Sequence, residues 1–387
     1  MDFLETDEQA MLRAAVAAVA GKYGHPYYLE KARSGGKTTE LWDELGGAGY
    51  LGVSVPEAYG GGGMGITELG IVAEELAAAG CPLLLLVVSP AICATVITAF
   101  GTEAQRLRWL PRFATGELTM AFAITEPDAG SNSHNLSLTA RKDGDVYRLS
   151  GTKTFISGCD EAEAALVVTR TGVDPDTGRG QLSLFVVDLD SPRLDKTVIP
   201  IEIVAPEKQF TLFFDDVEVP GDRLLGTEGD GLRQVFLGLN PERIISAAMA
   251  AGLGRYALAK AAAYAKDREV WGTPIGRHQG ISHPLAKAKI DCELARLMYQ
   301  KAAWAHDTGQ DPFTTGEAAN MAKFAAADAA LAALDQAIQT HGGNGLATDY
   351  GLATLWGAAR LMRTAPVSRE MILNFVAQHS LGLPKSY

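Results

Sequence analysis

The chain has 387 residues, 47% of them apolar, with a formal net charge of −12 and a pI of about 5.1. This length predicts two or three domains with sizeable cores, and the acidic balance argues against a nucleic-acid-binding protein, which normally presents a basic face. No apolar run reaches the roughly 18 residues of a membrane span, and the acidic residues 1–5 form no signal or transit peptide, so we expect a cytoplasmic protein without a membrane span.

Residues 1–118 are predicted to form an N-terminal helical domain. Thr6 and Asp7 can cap a helix whose apolar positions, Leu12, Val16 and Val19, recur at helical spacing. Further helices are predicted over residues 39–45, 68–79 and 103–113.

Residues 119–231 are predicted to form a middle β domain. Asp143-Gly144 lies between two alternating segments, 136–140 and 146–150, and this pattern is typical of a β-hairpin. Further strands are predicted over residues 165–169, 182–187 and 210–214. The domain is therefore expected to be a compact antiparallel sheet or barrel.

Residues 232–387 are predicted to form a C-terminal helical bundle. Long alanine-rich segments joined by short loops indicate helices over residues 241–267, 282–308 and 315–340, with a last helix near the C-terminus. The fold class is α+β, with helices at both ends. The cysteines are scattered without metal-ligand spacing, so we expect a reduced compartment and no metal site.

Two motifs in the β region could hold a cofactor. The first is Thr-Glu-Pro-Asp-Ala-Gly-Ser at residues 125–131, whose hydroxyls and backbone N–H groups could reach a pyrophosphate or a ring edge. The second is Gly-Thr-Lys-Thr-Phe-Ile-Ser at residues 151–157, where Phe155 could stack on an aromatic cofactor. Taken singly, the first could be a polar turn and the second an ordinary strand.

Two more motifs follow in the helical region. Arg268 precedes Trp271-Gly272, and its cation could either stabilise a helix end or bind a phosphate. Gln-Thr-His-Gly-Gly-Asn-Gly at residues 339–345 could be a plain helix C-cap or a place where backbone approaches a cofactor closely.

The four motifs, in this order and within a helix–β–helix chain, resemble those of the acyl-CoA dehydrogenase family over essentially the whole sequence. The resemblance implies a helical domain, a β domain and a C-terminal four-helix bundle, with FAD between the last two. It also implies α,β-dehydrogenation of an acyl-CoA thioester to the trans-2-enoyl-CoA, with electrons passed to an electron-transfer flavoprotein. A homo-oligomer, dimer or tetramer, is expected.

The resemblance also assigns site residues. Those that match the family's flavin contacts are Phe122, Ile124, Thr125, Gly130, Ser131, Phe155 and Ser157. Those that match positions presented to the FAD by a second subunit are Arg268, Trp271, Gln279, Gln339, Gly342 and Gly343. Acyl-CoA contacts correspond to Ser131, Asn240 and Arg243, with the last ones near Ser368 and Glu370.

The resemblance leaves the base at an unusual place. Most members carry a Glu before Gly-Thr on a C-terminal loop, but Pro366 stands at that position here. Another branch, which includes isovaleryl-CoA dehydrogenase, carries the Glu directly before an Arg on the helix that opens the C-terminal domain, and Glu242 matches it. With Asn240 as N-cap and Pro241 as the first helical residue, Glu242 would lie in the first turn, where the helix dipole favours its ionised form.

Other interpretations stay open. Glu242 could merely stabilise a helix start, and Glu370 is the alternative base. In the family a backbone N–H at the Pro366 position helps to hold the thioester oxygen, and proline has none, although a shift of one residue would put Ala365 or Val367 there. The chain could also be a related flavin oxidase, reductase or monooxygenase, or a catalytically silent flavin-binding partner subunit.

Overall fold

Helices occupy both ends of the chain, and a sheet lies between them. The computed structural model describes residues 5–385, so residues 1–4 of the acidic start lie outside the described part. The helices are α1 (Asp7–Ser34), α2 (Thr39–Gly47), α3 (Ile66–Ala78), α4 (Leu84–Val88), α5 (Thr95–Phe100), α6 (Glu103–Ala114), α7 (Gly231–Asp267), α8 (Gln279–Asp307), α9 (Pro312–His341), α10 (Trp356–Leu361) and α11 (Arg369–Phe375). The strands are β1 (Met120–Ala123), β2 (Thr139–Asp143), β3 (Val146–Ser157), β4 (Ala164–Val173), β5 (Gly180–Asp188), β6 (Leu194–Ile199), β7 (Gln209–Pro220), β8 (Leu224–Leu225), β9 (Glu269–Val270) and β10 (Thr273–Pro274).

The predicted N-terminal helices are confirmed, with one addition. Thr6 caps α1 by accepting a hydrogen bond from the Gln9 N–H at 3.2 Å, and the Gln9 side-chain oxygen accepts one from the Thr6 N–H. A π-helical segment, Ser89–Ala94, joins α4 to α5. The sequence did not reveal this helical stretch because nearly all of it is buried, so its apolar residues show no helical period.

The middle sheet contains the predicted hairpin, and two of its strands, β1 and β2, pair with β4 in parallel, which was not expected. Strands β2 and β3 pair antiparallel around Asp143 and Gly144. The strand order is β6-β7-β3-β2-β4-β5-β8, and β1 pairs with β4 in parallel. The sheet is therefore mixed, because β1 enters from the N-terminal helices alongside a strand that follows much later in the chain.

The C-terminal helical region begins where it was predicted, but the start of its first helix at residue 241 was predicted wrongly. Helix α7 begins at Gly231, so Asn240 is no N-cap, Pro241 lies inside the helix and Glu242 is far from the first turn. Proline lacks an N–H, so the helix forgoes one backbone bond there. Three long helices, α7, α8 and α9, pack against one another, and the short helices α10 and α11 pack against α9.

The first and last helical regions share one core. Leu69 of α3, Ile245 of α7 and Tyr299 of α8 are buried in the same apolar cluster. Gly252 of α7 allows the close approach, because a Cβ there would lie 2.1 Å from the carbonyl oxygen of Glu74. The sheet has its own core, and a third cluster joins its other face to α5 and α6. Between residues 5 and 385, none of the helices is long and apolar enough to cross a bilayer.

Buried charges reinforce the contact between the two helical regions. Glu74 is excluded from solvent and lies within 3.0 Å of guanidinium nitrogens of Arg13, Arg255 and Arg296. Burial alone would raise the pKa of Glu74, but these three cations lower it below its usual range. At the end of α8, Asp307 accepts hydrogen bonds from the N–H groups of Ile66 and Thr67 and so caps α3.

Candidate active site

A buried ion pair fixes the loop that follows β1. The Lys153 ammonium lies 2.8 Å from the Glu126 carboxylate and 2.9 Å from the carbonyl oxygen of Ile124. Glu126 also accepts hydrogen bonds from the N–H groups of Ser137 and Leu138. Burial lowers the pKa of Lys153 to about 8 despite the carboxylate beside it. The Lys153–Glu126 pair therefore joins the first two sequence motifs, a role that the sequence did not reveal.

A β-bulge turns Phe155 outwards. The register of β3 against β7 shifts between Lys153 and Ile156, so two residues of β3 oppose Thr211 alone. Phe155 has a φ of 55°, in the left-handed region that aromatic residues seldom adopt, and 59% of it is exposed. Such strain clusters at functional sites, so a flat partner for this ring is expected.

The other predicted flavin contacts in the β domain differ in their exposure to solvent. Phe122 is buried in β1, whereas Ile124 and Thr125 are half-buried in the loop after it. Gly130 and Ser131 are exposed, and among the described residues nothing accepts from their backbone N–H groups. Ser157 is half-buried and donates to Gln209 at 3.0 Å.

The second group of predicted contacts lies at the ends of α7 and α9. Tyr264 links the two helix ends, since its ring stacks on His341 at 4.2 Å and its hydroxyl accepts from Asn344. Trp271 has a φ of 51°, stands at the β9–β10 turn and is 88% exposed. The six residues of this group are all exposed in the single chain: Arg268, Trp271, Gln279, Gln339, Gly342 and Gly343.

Glu242 lies inside α7 with its carboxylate unengaged. It is half-buried, and within residues 5–385 it accepts no hydrogen bond and forms no ion pair. Burial raises the pKa of Glu242 to about 7, and the nearby charges of Arg243 and Lys323 oppose that rise. The expected effect of the helix dipole is absent because the helix begins at Gly231, so desolvation sets the pKa instead.

Cys93 connects Glu242 to the β domain. Its buried thiol contacts the carbonyl oxygens of Met120 and Ala121 in β1. Burial, with the negative charge of Glu242, raises the pKa of the Cys93 thiol. Cys93, whose pKa responds to the charge of Glu242, thus packs against the strand that leads into the loop of Ile124 and Thr125.

Two predicted substrate contacts flank the carboxylate on α7. Asn240 accepts a hydrogen bond from Nη1 of Arg243 at 3.1 Å. Nε of Arg243 is buried and has no partner among the described residues. Ser131, the third predicted contact, is in the β domain, and no hydrogen bond or ion pair of the described chain joins it to this pair.

The segment around Pro366 is held against α9. Lys323 of α9 is buried, donates from Nζ to the carbonyl oxygen of Val367, and is close enough to Glu242 for their charges to interact. The Ala365–Pro366 peptide bond is cis. Glu370, the alternative base, is exposed in the first turn of α11. The sequence patterns assigned no role to Lys323, although a lysine in an alanine-rich helix was a visible exception.

These residues fit FAD. Phe155 offers an exposed, strained aromatic ring beside the half-buried Ser157. The consecutive free N–H groups of Gly130 and Ser131 suit an anionic pyrophosphate. The exposed Arg268, which forms no ion pair within the described residues, suits a phosphate as well.

Comparison with known proteins gives consistent matches along the chain. Family models for the acyl-CoA dehydrogenase N-terminal, middle and C-terminal domains match residues 6–117, 121–217 and 229–381. The chain is 57% identical over 385 residues to acyl-CoA dehydrogenase FadE12 of Mycobacterium tuberculosis. This match covers 100% of this chain and 99% of that protein.

Solved structures agree with these matches. Butyryl-CoA dehydrogenase from Megasphaera elsdenii has a TM-score of 0.92 and 31% identity, and the match covers 98% of this chain and 100% of that one. A chain from the structural work on the electron transferring flavoprotein of Acidaminococcus fermentans has a TM-score of 0.93 at 31% identity, over 98% and 100% of the two chains. The protein thus belongs to the acyl-CoA dehydrogenase family, whose members use FAD.

Proposed function

We propose that Glu242 is the base that removes the α-proton of an acyl-CoA thioester, which is converted to the trans-2-enoyl-CoA. The observation that carries this assignment is the unengaged carboxylate inside α7. A carboxyl group that only stabilised the helix would lie at its start and would accept backbone N–H groups, whereas Glu242 does neither. A half-buried carboxylate with a pKa of about 7 is matched to proton removal near neutral pH.

The proton and the hydride equivalent released in the proposed reaction each have an acceptor. Glu242 takes the α-proton, and the negative charge that develops spreads to the thioester oxygen. FAD, when bound, supplies the acceptor for the hydride equivalent that leaves the β-carbon, because no side chain can take it up. Arg243 and Lys323 keep positive charge near Glu242 and favour its ionised form before the proton arrives.

We further propose an electron-transfer flavoprotein as the acceptor that reoxidises the protein. The match with a chain from the Acidaminococcus fermentans study supports this choice. A related oxidase would instead pass its electrons to oxygen, so the hydrogen peroxide formed under air distinguishes the two activities.

We also propose a homo-oligomer in which two subunits complete each FAD site. The exposure of Trp271, at 88%, supports this, because burying so large an apolar ring against a second subunit is favourable. A neighbouring apolar stripe supports it as well, since Ile290, Leu294 and Leu297 of α8 are 59%, 61% and 45% exposed.

The decisive experiment is anaerobic reduction of the bound flavin by a panel of short, long and branched acyl-CoA thioesters. We expect at least one to bleach the wild type, Glu242→Gln to bind FAD without bleaching, and Glu370→Gln to behave as the wild type. Bleaching by Glu242→Gln would contradict the assignment. A yellow wild type that no thioester bleaches would favour a silent partner subunit.

A further inference from the structure

We propose that Gln209 holds the hydroxyl proton of Ser157 and so makes Ser157 a hydrogen-bond acceptor towards the flavin, which favours reduced over oxidised FAD. Gln209 is a positioning residue in this arrangement, because it acts on the flavin through Ser157. The role requires Ser157 to contact the flavin, as the resemblance to the family implies, but it is independent of the base assigned above.

Ser157 lies on the same face of β3 as the exposed ring of Phe155. Successive residues of a strand point to opposite faces, and Ile156, which separates the two, is buried in the core of the sheet. Phe155 is 59% exposed and Ser157 is half-buried, so both side chains are open to a ligand. A ring that stacks on Phe155 therefore lies beside the Ser157 hydroxyl.

The only proton of the Ser157 hydroxyl is already donated. A serine hydroxyl has one proton to give and two lone pairs that accept. Ser157 gives this proton from Oγ to Oε1 of Gln209, at 3.0 Å. Within residues 5–385, no side chain donates to the Oγ lone pairs. Ser157 therefore presents lone pairs, and no proton, to a ligand.

The flavin ring changes from acceptor to donor at one atom when it is reduced. In the oxidised ring N5 has a lone pair and no hydrogen, whereas reduction by two electrons adds a proton there and creates an N–H group. A hydroxyl that can only accept is matched to this N–H and is repelled by the lone pair. Because hydrogen bonds to the ring nitrogens adjust the flavin's potential, Ser157 in this state stabilises the reduced ring.

The backbone of Gln209 is fixed on both sides. Gln209 begins β7 and pairs with Ser157 of β3 and with Ile199 of β6. The carbonyl oxygen of the preceding Lys208 accepts a hydrogen bond from the Gly158 N–H at 2.9 Å, which ties the start of β7 to the end of β3. The acceptor for the Ser157 proton is therefore held in place before any ligand binds, and such preorganised groups act without a reorganisation cost.

A second polar pair of the same sheet provides a matched control for a purely structural role. The Thr171 hydroxyl near the end of β4 lies 2.7 Å from the Ser183 hydroxyl on the neighbouring strand β5. Thr171 is half-buried, as Ser157 and Gln209 are, so both cross-strand pairs support the sheet in a similar way. Thr171→Val therefore measures what the loss of a cross-strand hydrogen bond does by itself.

The test is the midpoint potential of the bound flavin in the full-length, FAD-loaded protein, titrated with dithionite and an indicator dye without acyl-CoA. Gln209→Met keeps the length of the side chain and removes the acceptor. We expect it to shift the two-electron equilibrium about tenfold towards the oxidised form, the effect of one hydrogen bond, which lowers the potential by about 30 mV. Ser157→Ala should lower it by a similar amount. Ser157→Thr, which keeps the hydroxyl, and Thr171→Val should stay within about threefold of the wild type, or about 15 mV.

A double variant and a second measurement show whether Gln209 acts through Ser157. In the Ser157→Ala background, Gln209→Met should shift the equilibrium by no more than about a further threefold, because no hydroxyl is left to orient. Nitrogen-15 NMR of FAD labelled at N5 observes the hydroxyl proton directly. Gln209→Met frees this proton to donate to N5, so the N5 resonance of the oxidised flavin should move upfield, and Ser157→Ala should abolish that movement.

Three results would overturn the proposal. An unchanged or raised potential in Gln209→Met, or in Ser157→Ala, would mean that no acceptor hydroxyl faces the reducible edge of the ring. An equal shift by Gln209→Met with and without the Ser157 hydroxyl would assign the effect to the amide itself. An equal shift in Thr171→Val would assign it to loosening of the sheet. Since no acyl-CoA enters these titrations, they can succeed where Glu242 is not the base and fail where it is.

Discussion

The Lys153 ammonium and the Glu126 carboxylate lie 2.8 Å apart with almost no access to solvent, and together they join β3 to the loop after β1. Two adjacent segments of the candidate FAD site therefore depend on one buried interaction. Removing one partner leaves the other charge buried and uncompensated, which costs more than the pair contributes.

We expect Glu126→Gln to lower the free energy of unfolding by about 3–5 kcal/mol, because it leaves the Lys153 ammonium without its carboxylate. Urea denaturation of the FAD-free protein measures this change. The matched control is Glu293→Gln, which removes an exposed partner of Lys289 and should cost at most about 1 kcal/mol. Equal losses of unfolding free energy in the two variants would show that the buried ion pair stabilises the protein no more than the exposed pair does.

The flavin-reduction rate should depend on the ionisation of Glu242. A base acts only when it is deprotonated, so kcat/KM should rise tenfold per pH unit below about pH 7 and level off above it. Stopped-flow absorbance across this range gives the profile. A profile that is flat between pH 5.5 and 8, with a substrate that does not itself titrate, would exclude a carboxyl with this pKa.

Ionisation of the Glu242 carboxyl should lower the free energy of unfolding. The pKa of Glu242 is higher in the folded state than in the unfolded chain, so the folded state loses stability as the pH rises from about 4.5 to about 7. Each pKa unit corresponds to about 1.4 kcal/mol, so Glu242→Gln should be about 1–3 kcal/mol more stable than the wild type at pH 8. The two proteins should differ little at pH 4, and thermal unfolding at both pH values checks this.

Replacing Phe155 should relieve backbone strain and weaken the binding of FAD. Phe155→Gly removes an unfavourable positive φ and should stabilise the FAD-free chain by about 1 kcal/mol. It should also weaken FAD binding about tenfold, because the stacking surface is lost. Phe155→Trp should keep FAD affinity, and fluorescence titration measures all three proteins. Unchanged affinity in the glycine variant would argue that this ring does not contact the flavin.

The exposed stripe on α8 should hold two subunits together. Leu294→Arg places a charge in its centre, so we expect a monomer in sedimentation velocity and a loss of bound FAD. Leu107→Arg is the matched control, since Leu107 is 58% exposed on the distant helix α6. Its assembly and yellow colour should be those of the wild type.

Local signals in the sequence predicted most of the helices and strands. The Thr6 capping box and the Asp143-Gly144 turn each act within a few residues, so their elements were found where expected. The Asn-Pro-Glu run at residues 240–242 imitates a helix start, but packing extended α7 back to Gly231 and overrode the signal. The parallel β1–β4 pairing joins distant segments and leaves no local pattern.

The candidate site was predictable as a set of motifs but not as a set of contacts. Sequence patterns single out Phe155, Trp271 and Glu242, whose assigned roles stay predictions. They do not show that Lys153 ties two motifs together, because an ion pair between residues 27 apart depends on the fold. They also leave the position next to Pro366 uncertain by one residue, whereas hydrogen bonding in the structure engages the N–H of Ala365 and leaves that of Val367 free.

Because Asp307 caps α3 and three arginines surround Glu74, the first helices stay incomplete until α8 has been made. On the ribosome, 241 residues separate Ile66 from Asp307, which at about 5–20 residues per second is a delay of about 12–48 s. During that time α1 can pack against α3, but the face of α3 that later packs against α7 and α8 stays uncovered. Translation of this chain therefore leaves part of its first core open to solvent until α8 emerges.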